Sequence, residues 1–337
     1  LDSTSVTGKA GVLVDLPRIN YDANGQNGSL LLEPSRANLL PYSEYFETSE
    51  WTTPNVVFET NKATSPDGGF NATKFRANSA NSTHWASTGV TLTSGQDYTF
   101  KLYVKAAEYN WVQISLFGTG WVGSTKKINF NASTGEFGTT DTGITFDSNP
   151  MGNGWHEVFV TNEAASTTAT IRVYPLKSDD VTSYQGDGSS GIYIYGAQLE
   201  SGSYVSSYIP TMGTSETRAA DSCSVTGASD VIGQTEGTLF VDVNLDGTIT
   251  SDQQYIEVND GTTSNRIYIG LYSIYSLFRV VSGGAEVVNI NNTLTIGNRY
   301  KMAITYQANS VKAFINGSKI GEDTSASIPT CSRVYLN

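Results

Sequence analysis

Apolar side chains recur at every second position through most of this chain, and no window of twelve or more residues carries a convincing helical period. Successive side chains of a β-strand point to opposite faces, so this alternation commits the chain to half-buried strands. In 98–105, Tyr98, Phe100, Leu102 and Val104 form one face, read as core, and Thr99, Lys101, Tyr103 and Lys105 form the other, read as wet. Val112, Ile114 and Leu116 separate in the same way from Trp111, Gln113 and Ser115. Ile171 and Val173 oppose Arg172 and Tyr174, and Ile192 and Ile194 oppose Tyr193 and Tyr195. Further strands are expected at 238–244, 255–258, 266–271, 300–306 and 311–319. The last contains Asn316-Gly317, where both residues tolerate the positive φ of a type I′ turn, which predicts a tight hairpin. Short strands separated by turn residues favour sandwiches or barrels over βαβ units, so the expected fold class is all-β.

At 337 residues the chain is long for one sandwich and comfortable for two in tandem. Residues 209–221 are polar, with Pro210 and Gly213 early and no apolar period, and read as the linker between them. The first 33 residues, broken by Pro17, Gly25 and Gly28, read as an extended connector. Leu1 and the lack of a basic-then-apolar leader point to a processed or trimmed chain, so the missing export signal says little about location. Only 15% of residues are charged, so Ser, Thr, Asn, Gln and Gly must cover much of the surface, a common dress for extracellular β-proteins. A net charge of -12 argues against nucleic acid as a partner, because that affinity comes from cations neutralising phosphates. No run of eighteen apolar residues exists, so membrane insertion is not expected. Cys223 and Cys331 both follow the linker, and either one disulfide or two buried thiols fits.

Catalytic arrangements are hard to find. Glycoside hydrolysis needs two carboxylates poised around one bond, whereas Glu257 and Asp260 are spaced to face opposite sides of a strand, and Asp260-Gly261 reads as a turn. His84 and His156 stand in separate segments without acid or Cys partners, which opposes a zinc site or a nucleophilic triad, and both are expected on strand surfaces. Residues 118–123 lack the lysine of a phosphate loop and read as a turn. Asp179, Asp180 and Asp187 suit either a calcium held by loop oxygens or a solvated loop. The expectation is therefore of a protein that is not an enzyme. What remains is ring and amide chemistry: flat rings stack on the apolar face of a pyranose while amides and Arg bond its hydroxyls. Trp111, Gln113, Arg172, Tyr174, Tyr193 and Tyr195 are expected to share one sheet face, with Lys101 and Tyr103 nearby and Trp85 and Trp121 at the rim. The alternative is that these rings lie under an adjoining segment or a neighbouring subunit.

Two stretches carry a family resemblance. Ser29 to Glu44, with Phe46 and Trp51, resembles the entry to a module found in tail-fibre and head-fibre proteins of tailed bacteriophages. Gly191 to Glu200, with Tyr204, Ser207 to Thr211 and Arg218 to Asp221, resembles its exit. Asn38 to Trp51 is also similar to the opening of jelly-roll carbohydrate-binding modules attached to xylanases and glucanases. That resemblance implies a structural calcium joining an early Glu, here Glu47, to acids in the last strand, where Tyr195 and Gly196 stand instead, so no cofactor is expected. Residues 237–242 and 311–317 look like a concanavalin A-like or laminin-G-like sandwich. These resemblances imply a jelly roll over 34–208 and a second sandwich, cut short or completed by a partner, over 222–337. They also imply a location on the virion surface or outside the cell, attachment to glycans of a bacterial host, and homo-oligomeric assembly with other virion subunits. Two other readings remain: a decoration module that binds no sugar, and the carbohydrate-binding part of a polysaccharide-degrading enzyme.

Overall fold

The computed structural model describes residues 19–20, 28–245 and 249–336, all built from strands, turns and loops. No helix among them is long and apolar enough to cross a membrane. The described chain forms two compact units, one spanning Arg36–Arg218 and the other combining Ala219 onward with the described residues that precede Arg36. Every strand pairing is antiparallel, and the chain is all-β.

In the first unit a five-stranded sheet runs in the order Glu136–Thr140, Lys126–Asn131, Trp111–Phe117, Thr168–Leu176, Ala86–Thr91. It faces a six-stranded sheet in the order Thr145–Gly152, Trp155–Glu163, Asp97–Lys105, Gly191–Ser201, Ala72–Ala77, Val56–Ala63. The inner faces follow the alternation in the sequence: Val112, Ile114, Leu116, Ile171 and Val173 meet Phe100, Leu102, Val104, Ile192 and Ile194 in one core. Each such side chain contributes about 1.5–3 kcal/mol by leaving water.

The six-stranded sheet departs from expectation on its other side. Thr99, Lys101 and Tyr103, read as a wet face, are buried, Lys101 to 1% exposure. Residues 36–46 and 204–212 are sewn to Gly191–Ser201. Leu39 N donates to Leu199 O at 2.8 Å, Ala197 N to Ser43 O at 2.8 Å, and Ile209 N to Gln198 Oε1 at 2.7 Å. Asn38 is fully buried and its amide does the fastening. Its Nδ2 donates to Ala197 O and Ile209 O, and its Oδ1 accepts from Leu40 N and Leu199 N. The stretch read as a linker therefore belongs largely to this unit: Ile209 and Thr211 are buried and Glu216–Arg218 pairs with Arg36–Asn38. Composition misled because main-chain bonds and polar side chains, rather than an apolar period, hold this segment down.

The second unit has a six-stranded sheet, in the order Cys223–Thr226, Arg333–Leu336, Ile249–Asn259, Arg266–Ser273, Tyr275–Ser282, Ala285–Thr293. Its four-stranded partner runs Glu236–Asn244, Arg299–Gln307, Val311–Ile315, Ser318–Asp323. Phe278, Val280, Ile267, Met302, Ile304 and Val311 fill the space between. The expected hairpin forms, with Asn316 and Gly317 at φ 49° and 81° and Ile315 paired with Ser318. Most of residues 1–33, read as a connector, lie outside the described residues. Within that stretch Ile19–Asn20 pairs with Ser29–Leu30, the Glu33 amide donates to the Asp221 carboxylate, and the Asp221 amide donates to Glu33 O.

Both cysteines are free thiols, Cys223 exposed and Cys331 buried. Burial, then the nearby Asp260 and Glu257 charges, pushes the Cys331 thiol up to about 11. Since the thiolate is the nucleophile, a maleimide at pH 7 is expected to label Cys223 in the native protein and Cys331 only after denaturation, as peptide mass mapping would show. Rapid native labelling of Cys331 would contradict the burial.

Candidate functional site

The outer side of the five-stranded sheet gathers five of the residues singled out from sequence: Trp111, Gln113, Arg172, Tyr174 and Trp85. Cross-strand register puts Gln113 between Asn129 and Tyr174, Trp111 between Asn131 and Leu176, and Ser115 between Lys127 and Arg172. Arg172 lies opposite Ser87 on its other side, and Trp85, two residues earlier, shares that face. The Arg172 guanidinium carbon sits 4.1 Å from the Trp85 ring centroid and 3.3 Å from that of Phe117, a stack that holds a cation without an acid.

The polar groups here are unusually short of partners. Gln113 is 5% exposed, forms no side-chain hydrogen bond among the described residues, and has a wholly buried Oε1. Asn129 is fully buried. Its Nδ2 donates to Asp179 Oδ1 at 2.8 Å, while its Oδ1 accepts nothing. Arg172 Nε is buried and unpaired. A buried polar group without a partner costs about 1–3 kcal/mol, and three on one sheet face mark a place where the protein's own donors and acceptors do not match. Trp111 is half-buried at one end, and a Cβ added at Gly138 would lie 2.6 Å from its ring and 2.6 Å from Asp179 Cγ.

Other expected members lie elsewhere. Tyr193 and Tyr195 belong to Gly191–Ser201 in the other sheet, and so do not share a face with Trp111 and Gln113. Alternation gives the side of a sheet but not which sheet, and that is why the sequence merged the two. Tyr195 is 3% exposed, and its hydroxyl donates to Asp67 Oδ2 at 2.8 Å and to Glu44 Oε1 at 3.2 Å. Burial, and then those two carboxylates, raise its pKa far above the ordinary phenol range. Tyr193 packs half-buried beside Tyr103, Trp155 and Tyr195. Trp121, expected at the rim, is 1% exposed in the core, where its indole nitrogen donates to Thr170 O at 3.1 Å. His84, expected on a surface, is also fully buried, its ring nitrogens 2.6 Å from Asn55 O and 3.1 Å from Tyr184 O. His156 is half-buried against Phe130, and burial lowers its pKa.

The acids are occupied by the protein's own donors. Asp179 accepts from Asn129 and from the amide and hydroxyl of Thr139. Burial alone would raise its carboxyl, but these bonds hold it below the usual value. Asp180 pairs with Lys127. Asp187 is held low by the Ser190 hydroxyl and by the amides of Ser189 and Ser190. Glu47 is exposed, Tyr195 and Gly196 stand where the resemblance places its partner acids, and no group of three His, Cys, Asp or Glu side chains suited to a metal occurs among the described residues. Glu257 is buried, which raises its pKa against the opposing bonds from Asn259 and Arg266, and Asp260 is bonded to Thr262 and Asn265 of its own turn. Sequence reasoning missed Asn129 and Phe117. The alternation of Lys127, Asn129 and Asn131 with Ile128 and Phe130 was the available signal.

No protein-family model matches this chain, and no curated protein does. Among solved structures it is similar to the mouse laminin alpha1 chain, domains LG4-5, at 10% sequence identity and a TM-score of 0.22, covering 76% of this chain and 79% of that one. At that score the likeness carries no argument about fold or activity.

The covered face of the six-stranded sheet makes its own prediction. Lys101 Nζ donates to Glu157 Oε1 at 3.0 Å and to Ser206 O at 2.6 Å, and Tyr103 OH donates to the same Glu157 oxygen at 3.0 Å. Removing one member strands a buried charge, so Lys101→Met is expected to lower stability by about 3 kcal/mol in urea unfolding. An unchanged midpoint would mean that the pair contributes nothing.

Proposed function

We propose that this chain is a non-catalytic glycan-binding module of a bacteriophage fibre, displayed on the virion surface, which attaches to polysaccharide of a bacterial host through the outer face of the five-stranded sheet. The observation that carries the reading is the Gln113 amide nitrogen, which reaches the surface without a partner among the described residues, on the same sheet face as Trp111 and beside the ring-stacked Arg172. A pyranose offers what this surface lacks: hydroxyls for the amide and an apolar ring face for the indole. The fibre context rests on the resemblance of 29–44 and 191–221 to fibre modules. Oligomeric assembly with like subunits goes with it. No catalytic step enters this reading, and sustained release of reducing sugar by the pure protein would overturn that part of it.

A second reading, a decoration module that binds no sugar, draws on a different observation. Tyr272 and Tyr275 are neighbours across a hairpin of the second unit and are 44% and 45% exposed, rings suited to a subunit contact. Affinity electrophoresis through gels containing capsular or lipopolysaccharide glycans separates the two. Glycan binding predicts retardation that Trp111→Ala and Gln113→Ala each weaken about tenfold, equivalent to about 1.4 kcal/mol. A chain that migrates freely in every gel yet forms oligomers by light scattering would favour decoration. Neighbouring glycosidase genes in place of tail genes would move the module to a polysaccharide-degrading enzyme.

A further inference from the structure

The donors on the five-stranded sheet say more about the ligand than that it is a sugar. Arg172 forms no hydrogen bond and no ion pair among the described residues, and of its nitrogens only Nε is both unpaired and wholly buried, so the two terminal amino groups reach the surface. By the same comparison one end of the Gln113 amide reaches the surface while Oε1 does not, and the Tyr174 hydroxyl has no partner. Gln113 lies diagonally from Arg172 across the strand pair, and Tyr174 is two residues along from Arg172 on the same face. The surface-reaching ends are therefore a guanidinium fork, an amide and a phenol, grouped on one patch.

A cation pinned between two rings is expensive to leave unanswered. The chain carries an excess of acids, 32 against 20 cations, yet among the described residues none is paired with this one. Lys127, the other cation on the face, is already paired with Asp180, and the Asp179 carboxylate is taken by Asn129 and Thr139. We infer that the patch recognises an acidic saccharide, with Arg172 binding an anionic oxygen group carried by the sugar and Gln113 and Tyr174 bonding its neighbouring oxygens. This rests on the glycan-binding reading and narrows it to a substrate class. The chemistry fits the donor set. A carboxylate or a sulfate ester offers only acceptors, the Arg fork takes two of them in one plane, and the flanking rings keep the fork aligned before the ligand arrives. Because so much of the guanidinium is already desolvated by Trp85 and Phe117, little hydration is lost on binding.

The test uses the whole chain with alginate, polygalacturonate and hyaluronan, each beside its carboxyl-reduced form, and dextran sulfate beside dextran. Affinity is read by gel retardation and calorimetry. At least one acidic polymer is expected to bind tenfold or more tightly than its neutral counterpart. Arg172→Met, which still fills the space between the rings, should remove that preference, so that each acidic polymer binds no more tightly than its reduced form. Arg172→Lys keeps the charge but not the fork, and should bind between the two, which keeps the test decisive if the Met variant unfolds. Preference for a polyuronate over dextran sulfate identifies a carboxylate, and the reverse identifies a sulfate ester; both support the inference. Equal binding of acidic and reduced polymers, or a preference for acid that survives both substitutions, overturns it and leaves glycan binding standing. No retention of either form of any polymer overturns both.

Discussion

The fastening of the six-stranded sheet's outer side is the constraint on which the first unit depends. A sandwich buries one side of each sheet and leaves two free, and here Asn38 closes one of them. Its amide holds Ala197 and Ile209 with its nitrogen, and Leu40 and Leu199 with its oxygen. Under that cover sit Lys101, Glu157, Tyr103, Glu200 and Gln198, all buried, with Ser206 donating to Glu200. A polar network in so dry a place is tolerable only because its charges are paired and its hydrogen bonds made. On the five-stranded sheet the stacked cation, Arg172, has no carboxylate partner among the described residues, and that singles it out.

The contrast between the two sides is chemical. Each displays rings, amides and a cation. On the covered side Tyr195 and Tyr208 donate to Glu44, and Lys101 to Glu157, so that the cation has its carboxylate, although Thr211 Oγ1 is left over there too. On the other side Gln113, Arg172 and one oxygen of Asn129 are left over. Exposure alone would not separate them, since Gln113 is buried almost as deeply as Lys101. The pairing of the cation does: Lys101 has Glu157, and Arg172 has no carboxylate among the described residues.

Much of this fold was legible because period two is a direct projection of strand geometry. Phe100, Leu102, Val112, Ile114, Ile171 and Ile192 stood on the inner faces by pattern alone, and Asn316-Gly317 named its own turn. The candidate face was half legible. The pattern put Trp111, Gln113, Arg172 and Tyr174 outward, but Tyr193 and Tyr195 were added to them because sheet membership depends on pairings across long stretches of chain. Gln113 meets Tyr174 from 61 positions away, and no local signal encodes that. Trp121 was misplaced for a related reason: it sits between glycines outside any strand, where alternation has nothing to say, and its indole found Thr170 in the core. The segment 209–218 was misjudged because side-chain amides and hydroxyls held it, and these leave no periodic trace.

The ladder between Arg36–Asn38 and Glu216–Arg218 sets the two ends of the first unit side by side, Arg36 opposite Arg218. A body whose entry and exit coincide can be spliced into a host chain at a single point without stretching it. Recombination at that doorway would replace the whole sandwich at once, rings, amides and cation together, so that one lineage could exchange that sheet face as a cassette while its neighbouring sequence stayed the same.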